Sequence, residues 1–379
     1  MHGQRKKVAL IVETSLGSGR EILRGIASFA HQTENWEVFH AVRSLEEAVP
    51  DWLDDWDGDG VIARVQNAEI AHNLNRLKIP VIDVLGVYET NFPLVHVDDH
   101  QISALIADHF LQRDFQHFAF YGIEGENWSE RRRDAFRQSC KDAKSFHVLE
   151  TGRHPDDRRL RAWLRGLPKP VAIMVCSDQG GLILLEACRI EGISVPEQAA
   201  VAGVDNDLAL CEISAPPLTS VRGGHFRVGF EAAKWMDRLL DGEAPPASTV
   251  LVPPTGIVDR ESTDSRGISD PVVRKAMQFI RENLASPIDN EAIGRAAGVS
   301  RSRIQQRFRL ATGRSIREFL VDHRLKRAVD LIRRSDLPFA EIASRTGFRH
   351  QEYLGYVLKQ RLDKTPGQIR AGAQVLRPR

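Results

Sequence analysis

Several polar side chains that could bind a small molecule follow apolar runs in the first two-thirds of the chain. Arg132 comes after the run FAFYG, Asp178 after VAIMV and Asp205 after VAGV. An arginine offers a fixed fork of donors and a carboxylate offers acceptors, so together they suit a ligand that carries several hydroxyl groups. Trp128 could add a flat apolar surface for the ring of such a ligand. Arg20, which opens the first helix, is a further candidate donor.

Each of these residues also has a purely structural interpretation. Asp178 could be the N-cap of the helix that follows it, and Asp205 could be an ordinary loop carboxylate. Ser177 and Asn206 are adjacent alternatives to these two. The arginines on either side of Arg132 leave its position open by one residue. The tryptophan could be a surface or hinge residue, and the arginine of the first helix could simply be solvated.

The last third of the chain contains the same helical pattern twice. One copy is Glu291–Ser300 and the other is Ala340–Phe348. In each copy a short helix leads to a glycine, which permits the positive φ of a tight turn, and a second short helix follows. This is the pattern of a helix-turn-helix motif, in which the second helix lies in the major groove of DNA.

Other kinds of site have less support in the sequence. Gly17-Ser18-Gly19 lies between a strand and a helix, but Ile22 stands where a dinucleotide-binding fingerprint needs its third glycine. The segment His96–His100 contains metal-ligating residue types, but a strand end and a helix cap lie between its two histidines. The four cysteines show no CxxC spacing. We therefore predict no metal, no cofactor and no catalytic residue, and we expect the protein not to be an enzyme.

The elements that must position these residues follow an alternating pattern. Through the first 255 residues, short apolar runs are interleaved with amphipathic segments. This pattern indicates parallel sheets that helices cover on both faces. We therefore predict an α/β fold, a two-lobed doubly wound domain, whose ligands bind beyond the carboxyl ends of the strands. From Pro271 onwards the pattern is wholly helical, with seven amphipathic segments.

The charge of the chain changes at nearly the same place. Residues 269–379 hold 23 basic and 11 acidic side chains, a net charge of +12, whereas the rest holds 29 and 40, a net charge of −11. A basic globular tail is typical of a nucleic-acid-binding module. We predict a ligand-binding domain over 1–257, a polar linker over 258–270, and an all-α DNA-binding domain over 271–379.

The tail resembles the AraC/XylS-type DNA-binding domain over residues 271–371. The residues that carry the resemblance are Ile342-Ala343, Gly347-Phe348, Tyr353, Thr365-Pro366 and Ile369-Arg370. Leu354 and Leu358 stand where this family usually has aromatic residues, and Asp363 stands where it has glycine. We expect these three substitutions to keep the fold.

The resemblance implies which residues of the tail face the DNA. The positions are Ser302, Arg303, Gln305, Gln306 and Arg307 in the first motif, and His350, Gln351, Glu352, Gly355 and Tyr356 in the second. Arginine and glutamine can bind the edges of guanine and adenine through two hydrogen bonds, and glutamate can accept one from cytosine. Any one of these residues could instead be a solvated part of a helix surface.

The front domain resembles the LacI/GalR-type effector domain, a relative of periplasmic sugar-binding proteins. Such repressors carry a DNA-binding headpiece at the N-terminus. Since Val8 already begins the first strand, we expect the tail to take the place of that headpiece. The resemblance implies that Arg132 grips a sugar and that Asp178 and Asp205 accept hydrogen bonds from its hydroxyl groups.

The order of the two domains is similar to that in the family of xylose operon activators. Four segments carry this likeness: FAFYG (118–122), AFRQ (135–138), LVPP (251–254) and STD (262–264). The resemblance implies a sugar-responsive transcription activator that binds an operator in double-stranded DNA, with a pentose, D-xylose above all, as effector. We further expect a homodimer, contact with RNA polymerase, a cytoplasmic location and no membrane association. Open alternatives are a different sugar, repression instead of activation, and a sugar-modifying enzyme fused to a DNA-binding module.

Overall fold

The protein divides into an α/β unit and an all-helical unit. The computed structural model describes residues 5–44, 47, 50–152 and 156–374. The first compact unit is Met1–Gly267 and the second is Ile268–Arg379. The predicted fold class is confirmed, and the border between the units falls inside the predicted linker.

Two mainly parallel sheets form the first unit. Its strands are β1 (Lys6–Ile11), β2 (Trp36–His40), β3 (Gly60–Ala63), β4 (Val81–Asp83), β5 (Val95–Val97), β6 (His117–Ile123), β7 (Ser145–Thr151), β8 (Val171–Val175), β9 (Ala199–Val204), β10 (Thr219–Arg222), β11 (Val250–Val252) and β12 (Gly256–Val258). The first sheet has the order β2-β1-β3-β4, and the second has the order β12-β10-β9-β8-β6-β7. Only β12 runs antiparallel to its neighbour among these described strands. β5 and β11 form a separate parallel pair, which an isolated bridge between Asp83 and Leu94 links to β4.

Helices cover both sheets, and this is why β8 and β9 are apolar and buried along their whole length. The helices are α1 (Gly17–Thr33), α2 (Ala68–Arg76), α3 (Asp99–Leu111), α4 (Asn127–Ser139), α5 (Asp157–Gly166), α6 (Asp178–Ile190), α7 (Leu208–Ile213) and α8 (His225–Leu240). α1 and α8 pack very closely on the first sheet. A Cβ on Gly229 would lie 2.0 Å from the carbonyl oxygen of Ile22, so this helix crossing requires glycine.

The chain crosses between the two lobes three times. The first lobe holds the first sheet, β5, β11 and α8, and the second lobe holds the other sheet with α3–α7. The crossings are therefore β5 to α3, β10 to α8, and β11 to β12. Such connections leave a cleft between the carboxyl ends of the two sets of strands.

Most of the predicted linker is packed inside the first unit. β12 pairs with β10, and Ser262 and Thr263 are fully buried in a short 3₁₀ turn, Glu261–Thr263. The Oγ1 of Thr263 lies 2.8 Å from His109 Nε2, and the backbone carbonyl of Thr263 accepts a hydrogen bond from Arg113 Nε. Several polar residues of 258–267 therefore satisfy buried partners, although Asp259 and Arg266 of the same segment are exposed.

The second unit consists of two helix-turn-helix motifs around one long helix. Its helices are α9 (Pro271–Glu282), α10 (Asn290–Ala297), α11 (Arg301–Thr312), α12 (Ile316–Arg334), α13 (Phe339–Arg345), α14 (Gln351–Leu362) and α15 (Pro366–Gln374). The start of α12 packs into a core with α9–α11, and the remainder packs into a second core with α13–α15. The turn glycines Gly298 and Gly347 have φ values of 75° and 76°, as the motif predicts. No helix within the described ranges is long and apolar enough to cross a membrane.

Two of the departures from the AraC/XylS pattern fill the core. Leu354 and Leu358 of α14 are fully buried in the second of these cores, so leucine replaces the usual aromatic volume there. Asp363 is the C-cap of α14 and has a φ of 52°, the left-handed conformation that the usual glycine adopts without strain.

Candidate functional site

A cavity of about 210 Å³ lies between the two lobes of the first unit. It is several times larger than the ~30 Å³ that one water molecule occupies in the liquid, so it has room for a small organic molecule. Trp128, Arg132, Asp178 and Asp205 all line it, whereas Arg20 does not. These side chains follow strands that run in parallel, so their positions at one edge of the sheet agree with the topology.

Arg132 is a buried donor whose position is fixed by two acceptors. Its Nε donates to Asp99 Oδ1 at 2.8 Å, and its Nη1 donates to the carbonyl oxygen of Cys176 at 2.5 Å. The ring of Trp128 lies 5.0 Å from its guanidinium carbon. Although burial disfavours ionisation of Asp99, Arg132 and the adjacent Arg131 hold the pKa of its carboxyl below the usual range. Asp99 therefore carries the negative charge that balances these guanidiniums.

Asp205 is an acceptor that the protein leaves available. No described residue donates a hydrogen bond to its carboxylate, and His225 Nε2 lies 3.8 Å from Oδ1. Burial raises the pKa of Asp205 to about 6, against the opposing effect of Arg132 and Arg64. Its backbone has a φ of 105°, and Asn206 follows with 51°. Such conformations of non-glycine residues cost on the order of 1–3 kcal/mol each and are typical of functional sites.

Asp178 differs from Asp205 because its oxygens are already occupied. Ser220 Oγ donates to Oδ1 at 2.6 Å, while the backbone N–H of Asp207 and the thiol of Cys211 donate to Oδ2 at 2.7 and 3.3 Å. Burial raises the pKa of Asp178 to about 8. Asp178 lines the cavity, but donors from the loop after β9, from α7 and from β10 already bind its carboxyl group.

Arg20 lies at the edge of the cleft and joins the lobes. Its Nη1 donates to the carbonyl oxygens of Thr14 and Ser15, and its Nη2 lies 3.5 Å from Asp207 Oδ2 in the second lobe. The interpretation of Arg20 as a cavity donor therefore does not agree with its position. Its place in the first turn of α1 predicts a position near the cavity, but the guanidinium binds the loop that precedes this helix.

A second connection between the lobes lies at the start of α4. The Nδ2 of Asn127 donates to the carbonyl oxygens of Gly86 at 2.7 Å and Val87 at 2.9 Å. Gly17 also approaches the second lobe, because a Cβ there would lie 2.5 Å from Asp207 Oδ2. The structure therefore has the two lobes in contact around the cavity.

A buried ion pair in the first lobe was not predicted from the sequence. Arg64 lines the cavity directly after β3, and its Nη1 pairs with the fully buried Glu13, which lies just beyond β1. Its Nη2 lies 3.3 Å from Ser18 Oγ. Both residues follow apolar strands, so the signal that identified Arg132 was present for Arg64 as well.

Two histidines also line the cavity. Burial lowers the pKa of His96 to about 4 and the pKa of His225 well below its usual value, so both imidazoles are neutral near pH 7. His96 is buried, whereas His100 is exposed, and the two do not share a site. Among the described residues, no cluster of metal-ligating side chains occurs.

In the second unit, the second helix of each motif presents most of its predicted DNA-facing residues to solvent. The exposed ones are Ser302, Arg303, Gln305 and Gln306 of α11, and His350, Gln351, Glu352 and Tyr356 at α14. Gly355 is half-buried, and a Cβ there would meet nothing within 4 Å. Arg307 is the exception, because its guanidinium forms an ion pair with Asp270 inside the domain. Its assignment as a free base-reading residue therefore does not agree with the structure.

Comparisons with known proteins agree with both units. The XylR N-terminal domain matches residues 7–104, the periplasmic binding protein-like domain matches 107–263, and a helix-turn-helix domain matches 293–372. The xylose operon regulatory protein of Escherichia coli (strain K12) is 31% identical, over 98% of this chain and 98% of that protein. The protein of the same name from Haemophilus influenzae is 27% identical, over 98% of this chain and 99% of the relative.

The solved structures give the same result. The structure of the xylose-binding transcription activator xylR has a TM-score of 0.84 and 29% identity, and the match covers 98% of this chain and 99% of the other. A LacI family transcriptional regulator from Enterococcus faecium with bound ribose shares the fold over 70% of this chain and all of its own, with a TM-score of 0.56 and 20% identity. The chain therefore belongs to the family of xylose operon regulatory proteins, transcription regulators in which a sugar-binding domain precedes a helix-turn-helix DNA-binding domain.

Proposed function

We propose that this chain is a D-xylose-dependent activator of genes for pentose catabolism and that the sugar binds in the cavity between the lobes. One observation carries the site assignment: the carboxylate of Asp205 has no donor among the described residues and lies in a cavity that Arg132 also lines. A sugar hydroxyl can donate to the carboxylate and accept from a guanidinium, which matches both groups. Trp128 supplies an apolar surface beside them.

The charges around the cavity favour a neutral ligand. Arg64 is paired with Glu13, and Arg132 is paired with Asp99, so each guanidinium that lines the cavity has a buried carboxylate as its partner, although Asp99 is shared with Arg131 outside the cavity. The lining histidines are neutral, and an anionic ligand would meet no unbalanced guanidinium. A neutral pentose would therefore bind through hydrogen bonds and contact with the tryptophan. The choice of D-xylose rests on the names of the xylose operon regulatory proteins and of the xylose-binding activator that this chain resembles.

Closure of the lobes gives a mechanism for the response. A ligand shifts an equilibrium between open and closed forms only by its difference in affinity for the two. A sugar that touches Arg64 in the first lobe and Asp205 in the second would bind the closed form more tightly. In the closed form, the contact of Arg20 with Asp207 and the contact of Asn127 with the 86–87 loop would hold the two lobes together around the sugar.

The DNA-binding part of the proposal concerns the exposed residues of α11 and α14. Two such helices in one chain would enter successive major grooves, and a homodimer would read two half-sites. The net charge of +12 over 269–379 would supply phosphate contacts, so operator affinity should fall steeply with salt. As an activator the protein would contact RNA polymerase, and it would act in the cytoplasm, where its operator is.

Calorimetric titration of the full-length chain tests the site and the sugar together. D-xylose, L-arabinose, D-ribose and D-glucose are titrated into the wild type, Asp205→Asn, and Asp142→Asn as a matched control. Asp142 is an exposed carboxylate of the second lobe that does not line the cavity. We expect D-xylose to bind most tightly, Asp205→Asn to bind it much more weakly, and Asp142→Asn to match the wild type.

A reporter gene under the operator tests the direction of the response. We expect its expression to rise when D-xylose is added and the wild-type protein is present. A fall on addition of D-xylose would make the protein a repressor. Binding of a hexose in preference to all three pentoses would refute the assignment of the ligand, and equal affinities of wild type and Asp205→Asn would refute the site. Light scattering of the free protein and of its operator complex measures whether it is a dimer.

A further inference from the structure

The turn that carries Asp205 is held in an unusual backbone conformation. Asp205 and Asn206 have φ values of 105° and 51° in succession, where L-residues without glycine's freedom are strained. The N–H of Asp205 donates to the carbonyl of Val221 at 2.9 Å, and the N–H of Asn206 donates to Ser220 Oγ at 3.0 Å. These bonds hold the backbone at the start of the turn, and the side chain of Asn206 has a separate hydrogen-bond partner.

Arg260 is that partner. Its Nη2 donates to Asn206 Oδ1 at 2.7 Å, and its Nη1 donates to the carbonyl of Leu218 at 2.8 Å. The side chain is buried, and the backbone N–H of Arg260 donates to Thr219 Oγ1 at 2.8 Å. Arg260 thus joins the Asp205 turn to the segment 259–267, which ends the first unit.

This segment is itself firmly attached to the second lobe. Ser262 Oγ donates to the carbonyl of Val201 at 2.6 Å and accepts from the N–H of Thr219 at 2.8 Å. The N–H of Gly267 donates to the carbonyl of Arg113 at 2.7 Å. Residues 259–267 therefore form a continuous hydrogen-bonded connection from the Asp205 turn to the end of the first unit. Such a connection is a physical route by which a displacement of Arg260 would reach the end of this unit.

We propose that Arg260 is a positioning residue of the sugar site, which holds the turn so that Asp205 faces the cavity and which links occupancy of the cavity to the segment that leads to the DNA-binding domain. The inference rests on the proposed function, because it takes the sugar as the ligand of Asp205. Asp205 and Asn206 share a peptide unit. A sugar hydroxyl that binds the carboxylate of Asp205 therefore displaces Asn206 as well. The hydrogen bond between Asn206 Oδ1 and Arg260 Nη2 passes this displacement to the guanidinium.

The test removes the acceptor of this bond and leaves the buried arginine in place. Asn206→Gly deletes the side-chain oxygen and tolerates the positive φ. Asn206→Asp keeps an oxygen at the same position and serves as the rescue variant. Arg266→Gln is the matched control, because Arg266 lies on the same segment, is exposed, and pairs with Asp114 far from the turn in sequence. Arg260→Gln removes the donor.

Three quantities are measured for each full-length variant: the Kd for D-xylose, the operator Kd without sugar, and the ratio of operator Kd values with and without saturating D-xylose. For Asn206→Gly we expect the D-xylose Kd to rise about tenfold, as the loss of an interaction worth ~1.4 kcal/mol would produce. The operator Kd without sugar should stay at the wild-type value, and the sugar-dependent ratio should move towards one. Asn206→Asp and Arg266→Gln should resemble the wild type in all three.

The double variant Asn206→Gly/Arg260→Gln should have the same D-xylose Kd as Arg260→Gln alone, because the side chain of Asn206 acts through its bond to Arg260, which Arg260→Gln has already removed. If Arg260→Gln does not fold, the comparison of Asn206→Gly with Asn206→Asp decides the question. A wild type that binds none of the pentoses would refute the proposed function. A wild type that responds to D-xylose, together with an Asn206→Gly variant that loses thermal stability but keeps the wild-type Kd and ratio, would refute the role of Arg260 alone.

Discussion

The guanidinium of Arg307 and the carboxylate of Asp270 form a two-hydrogen-bond pair in the second unit. Nε of Arg307 lies 2.7 Å from Oδ2, and Nη2 lies 2.8 Å from Oδ1. The same carboxylate is the N-cap of α9 and accepts from the N–H groups of Val272 and Val273. Arg307 of α11 therefore holds the beginning of α9, and the pair uses two of the five N–H donors of its guanidinium.

Substitution of Arg307 should reduce stability more than base recognition. For Arg307→Gln we expect a small fall in the free energy of unfolding and in the melting temperature, small because the pair is partly exposed to solvent. Discrimination between the operator and a mutated operator should stay at the wild-type level. Thermal melts and gel shifts with both DNAs measure the two effects. Gln306→Ala, in the exposed part of α11, is the comparison, and it should weaken discrimination without changing the melting temperature. The reverse pattern would make Arg307 a base-reading residue.

Sugar affinity should depend on pH through Asp205. Since its pKa is about 6, the carboxylate is the accepting form near neutrality and becomes protonated in mild acid. We expect the affinity for D-xylose to rise between about pH 5 and about pH 7, while His96, with a pKa of about 4, stays neutral over this interval. Asp205→Asn should bind roughly 5- to 150-fold more weakly near pH 7, a loss of about 1–3 kcal/mol, with an affinity that does not vary with pH. A wild-type affinity that is constant over this interval would contradict the assignment.

The stability of the first unit should fall as the pH rises through the pKa of Asp178. That pKa is about 8 in the folded protein and ~3.9 in an unfolded chain, so the folded state retains a proton that the unfolded state has released. This contribution is complete below about pH 4, is lost at up to ~1.4 kcal/mol for each pH unit as the pH rises from there, and is fully lost once the pH exceeds the folded-state value of about 8. Urea unfolding at several pH values measures it. The slope should be smaller in Asp178→Asn, and equal slopes would show that Asp178 does not hold the proton.

Asp363→Gly should stabilise the second unit. Asp363 has a φ of 52° at the end of α14, and a glycine there avoids the cost of a side chain in the left-handed conformation, about 1 kcal/mol. The variant loses the ion pair with Lys359, but the side chain of Asp363 is largely exposed, so this pair contributes little. We expect a net gain of roughly 0.5–1 kcal/mol, measured by thermal unfolding. Lys359→Gln, which removes the ion pair and the bond from Nζ to the Asp363 carbonyl but keeps the aspartate side chain, is the comparison.

Local signals were enough to predict the helices of the second unit. The amphipathic spacing predicts seven helical segments from Pro271 onwards, and the described residues of this unit form seven helices. In the structure, the side chains of Asp270, Ser300 and Ser315 cap the starts of α9, α11 and α12. The order of strands and helices in the first unit followed from apolar runs in the same way. Since parallel strands end at one edge, residues directly after them could be expected at the cleft.

The hydrogen-bond partners in the cleft could not be predicted, because they depend on contacts between distant parts of the chain. Asp178 accepts from residues 29 and 42 positions further on, and no local pattern distinguishes it from Asp205. The alternative interpretation of Asp178 as the N-cap of α6 is wrong, since Ser177 accepts from the N–H of Gly180 in that position. The side-chain directions of Arg20 and Arg307 likewise depend on which partner lies nearest in the folded protein.

The three crossings between the lobes decide which part of this protein can be exchanged as a cassette. Each lobe is assembled from separate stretches of chain, so neither can be replaced by a single cut in the gene. A hybrid sensor that reports another molecule through the same operator must take the effector part as one piece, up to Gly267. A cut at 257 would discard Arg260 and Thr263. The buried hydroxyl of Thr219 would then lose its two partners, the backbone carbonyl of Arg260 and the side-chain hydroxyl of Thr263.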